Sequence, residues 1–432
     1  MQLLLAAGAV ALLAIWWSAA GRLAGAGTAD AMTAFGRVTG LLGAYGCLVV
    51  LLLMARMPWL ERAIGLVRLA TWHRYAGTSA VVLVVVHVAA TAWGYALSQD
   101  DGFVHQLGTM ITDLPGMVTA TVGTVLLVLV ALTCARAARR HLPYAAWWVI
   151  HLTAYVAVVL GFAHQLDTGD DFVGRPTAAG IWKGIVIGVL AVVAWWRIAR
   201  PLADAWARRT RVAEVTPDGG AVSVWLEGDG AGRPGARGGG FVIVRFLVRG
   251  LWSTARPYTI TELGEGDRLR IAIRRRPGLA GRLERIRPGT RAIVEGPFGD
   301  LDRVDVAPGA GVLLIGAGAG ITPLRPLAAD LAAKGHDVVV VHRATSAETQ
   351  VLAADMRELA GRGAIVLHDV LGARAELGAD PLDAAALAGL VPDLAERELV
   401  LCTPSDLTTN LVRAGRAAGI APERIHAGVF AL

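Results

Sequence analysis

Cysteine is scarce and scattered: the 432 residues hold three, Cys47 and Cys134 in apolar segments and Cys402 far away in a more polar half. That excludes a disulfide framework and the paired spacings of a structural zinc site. Charge is scarce as well, at 18% of residues against 55% hydrophobic. Such a balance excludes a disordered chain and suits one that enters a membrane. There is no EF-hand loop and no further docking module, so constitutive activity is the simplest expectation. The net charge of +6 is no argument for nucleic acid, because the basic residues fall in short loops and in motifs with other uses. No nucleic-acid partner is expected.

What the chain does have is long apolar runs, concentrated in its first half. Runs of membrane-spanning length fall at about 2–20, 37–55, 74–97, 115–135, 144–165 and 179–200. The first lacks the basic start of a signal peptide. Six spans put both termini on one side of the lipid bilayer, and short cytoplasmic loops are the ones rich in Lys and Arg. Arg56, Arg62 and Arg68, then Arg136, Arg139 and Arg140, then Arg208, Arg209 and Arg211 lie on one side; Asp100, Asp101, Asp113, Asp167, Asp170 and Asp171 lie on the other. Both termini are therefore expected in the cytoplasm, with the spans in the plasma membrane.

Two stretches carry the chemistry, HRYAGTSAVVLVVVH (73–87) and HLTAYVAVVLGFAH (151–164). Each brackets an aliphatic segment with histidines. An imidazole inside a span is costly, and its first reading is functional. Any one of them alone could be a core histidine bonded to a carbonyl; four in two matched pairs point to axial ligands of haem iron held between helices. Fourteen residues put His73 and His87 roughly 20 Å apart along a helix and about 40° apart around it. His151 and His164 are thirteen apart, or about 140° around the axis, so their helix must depart from ideality, with Gly161 a place for a kink, or meet its ligands from different sides. The third and fifth spans run the same way. His73 is then expected to pair with His151 on an inner haem and His87 with His164 on an outer one.

The second half, from about residue 207, changes to alternating strand patterns such as AVSVWLEG and FVIVRFLV. The glycine-rich 229–240 between them reads as a hairpin loop, since no helix follows it. Further on, VLLIGAGAGITPLRPLAADLAA (312–333) runs an aliphatic strand through Gly316, Gly318 and Gly320 into a helix, where backbone approaches a pyrophosphate at the helix N-terminus. Arg343 and Ser346 follow the next strand, where a doubly wound sheet reads the adenosine ribose; Arg343 suits a 2′-phosphate and favours NADPH over NADH.

Six spans, histidine pairs on the third and fifth, and a flavin and nicotinamide half resemble the ferric reductase and NADPH oxidase superfamily over nearly the whole chain. The resemblance implies a six-helix transmembrane bundle (1–206) binding two haem b groups, an antiparallel FAD-binding β-barrel of ferredoxin reductase type (207–307) and an α/β NAD(P)H-binding domain (308–432). It implies that Arg37, near the outer end of the second span, lies by the outer haem, where the oxidases reduce oxygen. Two departures are Thr91, where those oxidases have a further histidine, and Ala157, where they have an aromatic between haems.

In RPYTIT (256–261) the resemblance gives Arg256 to the FAD pyrophosphate, Tyr258 after Pro257 to the flavin face, and Thr259 to the isoalloxazine edge. A guanidinium forks onto phosphate and an aromatic suits a flat cofactor. Arg274 and Gly281 stand in a second pyrophosphate segment, Gly281 replacing a hydroxyl residue. EGPFG (295–299) matches the turn ending the flavin barrel. Thr322 and Pro323 complete a GxGxxP-type nicotinamide-nucleotide site. Cys402 is placed near the nicotinamide, though Thr403 replaces a glycine, and Phe430 over the flavin ring, with Gly428 where an acid is common.

Electrons are thus expected to pass from cytosolic NADPH through FAD and two haems to an acceptor outside. The first choice is O2, giving superoxide. Ferric chelates and an extracytoplasmic protein partner are the alternatives.

Overall fold

The computed structural model describes residues 8–10, 12–14, 16–17, 27–229, 239–252, 255–275, 280–283, 285–298, 306–373 and 380–427. The chain divides into two compact units, residues 1–64 with 68–198 and residues 65–67 with 199–432.

The first unit is helical: α1 (Thr28–Leu53), α2 (Leu66–Gln99), α3 (Phe103–Asp113), α4 (Met117–Cys134), α5 (Tyr144–Asp167) and α6 (Pro176–Ala194). Among the described residues, five helices are long and apolar enough to cross a membrane. The expected run at 2–20 lies mostly outside them. Helix α1 starts earlier than its apolar run, because Thr28–Gly36 is rich in alanine and places its one acid, Asp30, in the first turn, where the helix dipole favours it. Helix α3 was not anticipated. It buries Gln106 and Met110, four apart, and leaves its other face open.

Glycine sets how closely these helices meet. A Cβ on Gly40 would fall 2.6 Å from the His87 ring, on Gly43 3.0 Å from Val84, and on Gly46 3.0 Å from Ala80; on Gly36 it would overlap Thr91. This small-residue stripe on α1 lets its backbone lie against α2. Likewise a Cβ on Gly123 of α4 would sit 2.8 Å from the Ala157 carbonyl of α5. Helix α5 is helical straight through Gly161, so its two histidines leave in different directions and meet their partners from different sides.

The second unit begins with α7 (Arg200–Arg208), joined to α6 by the π-helical turn Trp195–Ala199. Strands β1 (Arg211–Asp218), β2 (Ala221–Glu227), β3 (Phe241–Phe246), β4 (Arg256–Leu263), β5 (Arg268–Arg274) and β6 (Ala292–Phe298) form an antiparallel sheet in the order β1-β2-β5-β4-β3-β6. Its two outer strands meet. Arg211 bridges Arg291, the Val212 N–H donates to Thr290 O at 2.8 Å, and the Ala292 N–H donates to Thr210 O at 3.0 Å. Val224, Leu226, Ile260, Leu269 and Ile271 are fully buried inside, each stabilising by roughly 1.5–3 kcal/mol.

Next come β7 (Val312–Ala317), helix α8 (Ile321–Ala333), β8 (Val338–Ala344), β9 (Val366–Leu371), β10 (Glu398–Cys402) and β11 (Ile425–Ala427), a parallel sheet in the order β11-β10-β7-β8-β9. The central strands β7 and β8 open as continuous aliphatic runs because both their faces are covered. The order reverses between β7 and β10, and in open α/β sheets ligands bind at such a reversal. Arg270 of β5 and Arg325 of α8 share Glu262 and Asp355, tying the antiparallel sheet to the parallel one.

Candidate functional site

In the first unit the histidines meet in two couples. The ring centroids of His73 and His151 are 5.9 Å apart, and those of His87 and His164 are 6.4 Å apart. Two imidazoles sharing one metal ion at metal–nitrogen lengths of about 2 Å have centroids about 6 Å apart. His73 Nδ1 lies 3.1 Å from Val50 O and His87 Nδ1 2.7 Å from Gly36 O. A ring that donates Nδ1–H to a carbonyl keeps its Nε2 lone pair free, the arrangement typical of metal-bound histidine. His151 differs: its Nδ1 is 3.5 Å from Cys134 Sγ, and Trp147, itself under the Arg139 guanidinium, stacks on its face at 5.1 Å. Among the described residues no three or more His, Cys, Asp or Glu side chains gather as a metal site. Two imidazoles per site therefore suit an ion whose other ligands come with it, as in a tetrapyrrole.

The outer couple opens on a cavity of about 290 Å³ lined also by Arg37, Thr91, Gln165 and Trp182. Arg37 is not free there. It grips Asp171 with two bonds, Nη2 to Oδ1 at 2.6 Å and Nε to Oδ2 at 3.3 Å, with Asp170 at 3.5 Å. Asp171 is buried. A planar guanidinium matched to a carboxylate in this way is a fixed part of the wall. Thr91 Oγ1 is 3.3 Å from His87 Nδ1, and Ala157, buried against Gly123, puts no ring between the two couples.

In the second unit Arg256, Pro257, Tyr258 and Thr259 open β4, paired with β3 residues Val244 to Phe241. The Tyr258 ring is 6.4 Å from Phe246. Arg274 ends β5 with its Nη1 3.4 Å from where a Cβ on Gly318 would be, so the expected pyrophosphate arginine and the glycine loop come together. Gly281 lies in the short helix Ala280–Leu283, and its surroundings, like Phe430, Gly428 and Gly299, fall outside the described residues.

The glycine loop leaves no room for side chains. A Cβ on Gly316 would be 3.0 Å from Ile321 Cα, one on Gly320 would overlap the Cys402 carbonyl, and Gly318 has φ +55°. Cys402 thus lies against the loop across the sheet reversal, and burial pushes its thiol pKa up. It is suited to packing and not to acting as a thiolate. Thr322 donates to Ala319 O at 2.8 Å, and Pro323 is buried in the first turn of α8.

Arg343 is held by its own strand ends: it donates to Ala344 O, to Val370 O at 3.1 Å and to Gly372 O at 2.6 Å. Ser346 caps the following turn with Thr349. Sequence reasoning missed Asp171 as the partner of Arg37, the carbonyls of Gly36 and Val50, and Cys134. Only the Gly36 and Val50 carbonyls had a readable signal, the GRVTGLLGAYG stripe that brings α1 onto the histidine helix.

Parts of the chain are similar to known proteins. Residues 39–162 match the family described as ferric reductase like transmembrane component. The flavohemoprotein of Chromobacterium violaceum is 27% identical over 313 residues, covering 65% of this chain and 74% of that protein. The ferredoxin reductase component of 3-ketosteroid-9-alpha-monooxygenase from Mycolicibacterium smegmatis is 31% identical over 197 residues, 44% of this chain and 55% of its own. Among solved structures, the FAD/NAD binding domain of the Vibrio cholerae nitric oxide dioxygenase aligns with a TM-score of 0.43 at 21% identity, over 51% of this chain and 98% of that one. A ferric reductase-like membrane component together with a reductase-type module is consistent with the ferric reductase and NADPH oxidase superfamily, and the chain is an oxidoreductase.

Proposed function

We propose that this membrane oxidoreductase takes electrons from cytosolic NADPH and delivers them, by way of FAD and two b-type haems, to an acceptor outside the cytoplasm. The observation that carries the reading is the two facing histidine couples, each spaced for one shared ion, in a chain that also holds a reductase module. FAD supplies the conversion between a two-electron hydride donor and one-electron haem iron.

The chain's own residues then have distinct tasks. Val50 and Gly36 orient the imidazoles of α2. Arg256 and Arg274 would hold the flavin pyrophosphate, Tyr258 its ring system and Thr259 its edge, in a sheet whose meeting edges form a barrel. Gly316, Gly318 and Gly320 admit the dinucleotide backbone to the N-terminus of α8, and Cys402 closes the floor beside it. A guanidinium at the end of β8, Arg343, is what favours NADPH, although its donors lie on three carbonyls; NADH is the competing donor. The arginine-rich loops support six spans with both termini cytoplasmic in the plasma membrane.

Oxygen, giving superoxide, is the acceptor we place first, because Arg37 lines the cavity beside the outer couple. A ferric chelate or a protein partner is the second reading. It gains weight because Asp171 and Asp170 set two carboxylates against the single Arg37 guanidinium, so this wall offers no surplus positive charge to hold superoxide.

The test is a reduced-minus-oxidised spectrum and haem count of the purified protein, followed by NADPH-driven oxygen uptake with and without superoxide dismutase and with ferric citrate as competitor. Two haems are expected, with loss of one on His151→Ala. A flavin-loaded protein with no haem absorbance would sink the proposal.

A further inference from the structure

One turn of the second unit holds none of the residues assigned above to flavin or dinucleotide. The turn between β3 and β4 exposes Leu247 (46%) and Trp252 (61%). It is dressed with arginines: Arg245 Nη1 donates to Trp252 O at 3.0 Å, and Arg285 Nη1 donates to Arg249 O at 3.0 Å. No acidic residue occurs between 241 and 261.

The turn has a fixed place in the chain. The Leu247 N–H donates to Arg291 O at 2.9 Å, Arg291 bridges Arg211, and the Ala292 N–H donates to Thr210 O at 3.0 Å. Thr210 is two residues past α7, which follows the last membrane-spanning helix without a loop and itself exposes Leu202 (50%) and Trp206 (84%), four apart on one face. Nine residues of α7 rise only about 13 Å.

We infer that the Leu247–Trp252 turn is a membrane-surface anchor, with Trp252 and Leu247 entering the interface and Arg245, Arg249 and Arg285 meeting the anionic headgroups of the bilayer that the chain has just left. Tryptophan is the residue that settles at the headgroup level. Clustered arginines within a Debye length of an anionic leaflet are drawn to it. The partner that matches both the charge and the aromatic is a lipid surface, and the covalent path from the last span keeps it in reach. The anchor would hold this end of the flavin sheet at the bilayer.

The experiment uses the full-length protein in nanodiscs, with a nitroxide on Leu247→Cys in a Cys134→Ser background, since Cys134 is exposed and Cys47 and Cys402 are buried. A second label at Lys334→Cys reports free solvent. In phosphatidylglycerol discs, collision of the 247 label with an aqueous nickel chelate should be roughly fivefold lower than at 334, and the difference should shrink in phosphatidylcholine. Adding Arg249→Glu or Trp252→Ser should abolish it, while unchanged hydrogen exchange in β7 to β10 certifies the fold. Equal accessibility in both lipids would overturn the inference. So would equal shielding in detergent, which would mean that protein covers the turn.

Discussion

Replacing Gly40 by alanine tests the histidine couples most sharply. The added methyl would stand 2.6 Å from His87 Nδ1 and 2.9 Å from two ring carbons. Ordinary contact begins near 3.4 Å, so the ring or the helix must retreat by about 0.8 Å, several times the roughly 0.2 Å that a metal–ligand bond tolerates. The same shift stretches the 2.7 Å contact with Gly36 O that orients the ring. Overpacking of this kind costs about 1–3 kcal/mol in a close-packed interior, and here it falls on one ligand of one site. Gly77→Ala is the matched control, because its methyl would meet only Val50 at an ordinary 4.0 Å. The pyridine haemochrome assay should give close to one haem per Gly40→Ala chain and two per Gly77→Ala chain, with the inner potential unchanged by redox titration. Two haems of normal potential in Gly40→Ala would refute the assignment of His87.

Asp171→Ala leaves the Arg37 guanidinium buried beside only the exposed Asp170, and should lower stability by about 3 kcal/mol, whereas Arg37→Met with Asp171→Leu should recover most of it in a thermal melt. Gly320→Ala should abolish NADPH-dependent flavin reduction in stopped flow while leaving dithionite reduction of the haems intact, because its methyl overlaps the Cys402 carbonyl. His342, fully buried in β8, has its pKa pushed down to about 4 by burial, and neither ring nitrogen has a hydrogen-bond partner among the described residues. The folded pKa lies below the unfolded one, so the unfolded chain binds the extra proton: stability should be flat above pH ~6.5 and fall by roughly 3 kcal/mol between there and pH ~4. Hydrogen exchange of β8 against pH checks this, and His342→Leu should remove that part of the slope without loss at neutral pH.

The sequence made legible what depends on local pattern. Apolar length marked the spans, and the GAGAG loop after an aliphatic strand marked the start of α8. The histidine pairing also followed, because two spans of the same direction leave little choice of depth. Long-range partners were not legible. Asp171 is 134 residues from Arg37, and nothing in either stretch names the other. Arg343 reads as a free cation from its place after a strand, yet three carbonyls occupy it, two of them brought in by β9. The amphipathic period of α3 was readable but short, and an eleven-residue helix beside 20-residue apolar runs passes for a loop.

The two carbonyls of α1 that orient His87 and His73 belong to Gly36 and Val50. Fourteen residues separate them, the same interval as between the histidines themselves, on helices laid antiparallel. The distance between the two sites is thus ruled twice, once on each helix, like matching graduations on two scales. Neither scale can gain or lose a residue between its marks alone, since one step turns a helix by about 100° and would take a carbonyl away from its ring. Length changes in this part of the protein are confined to the connections outside those marks. The interval between the two histidine couples is therefore set by chain geometry alone.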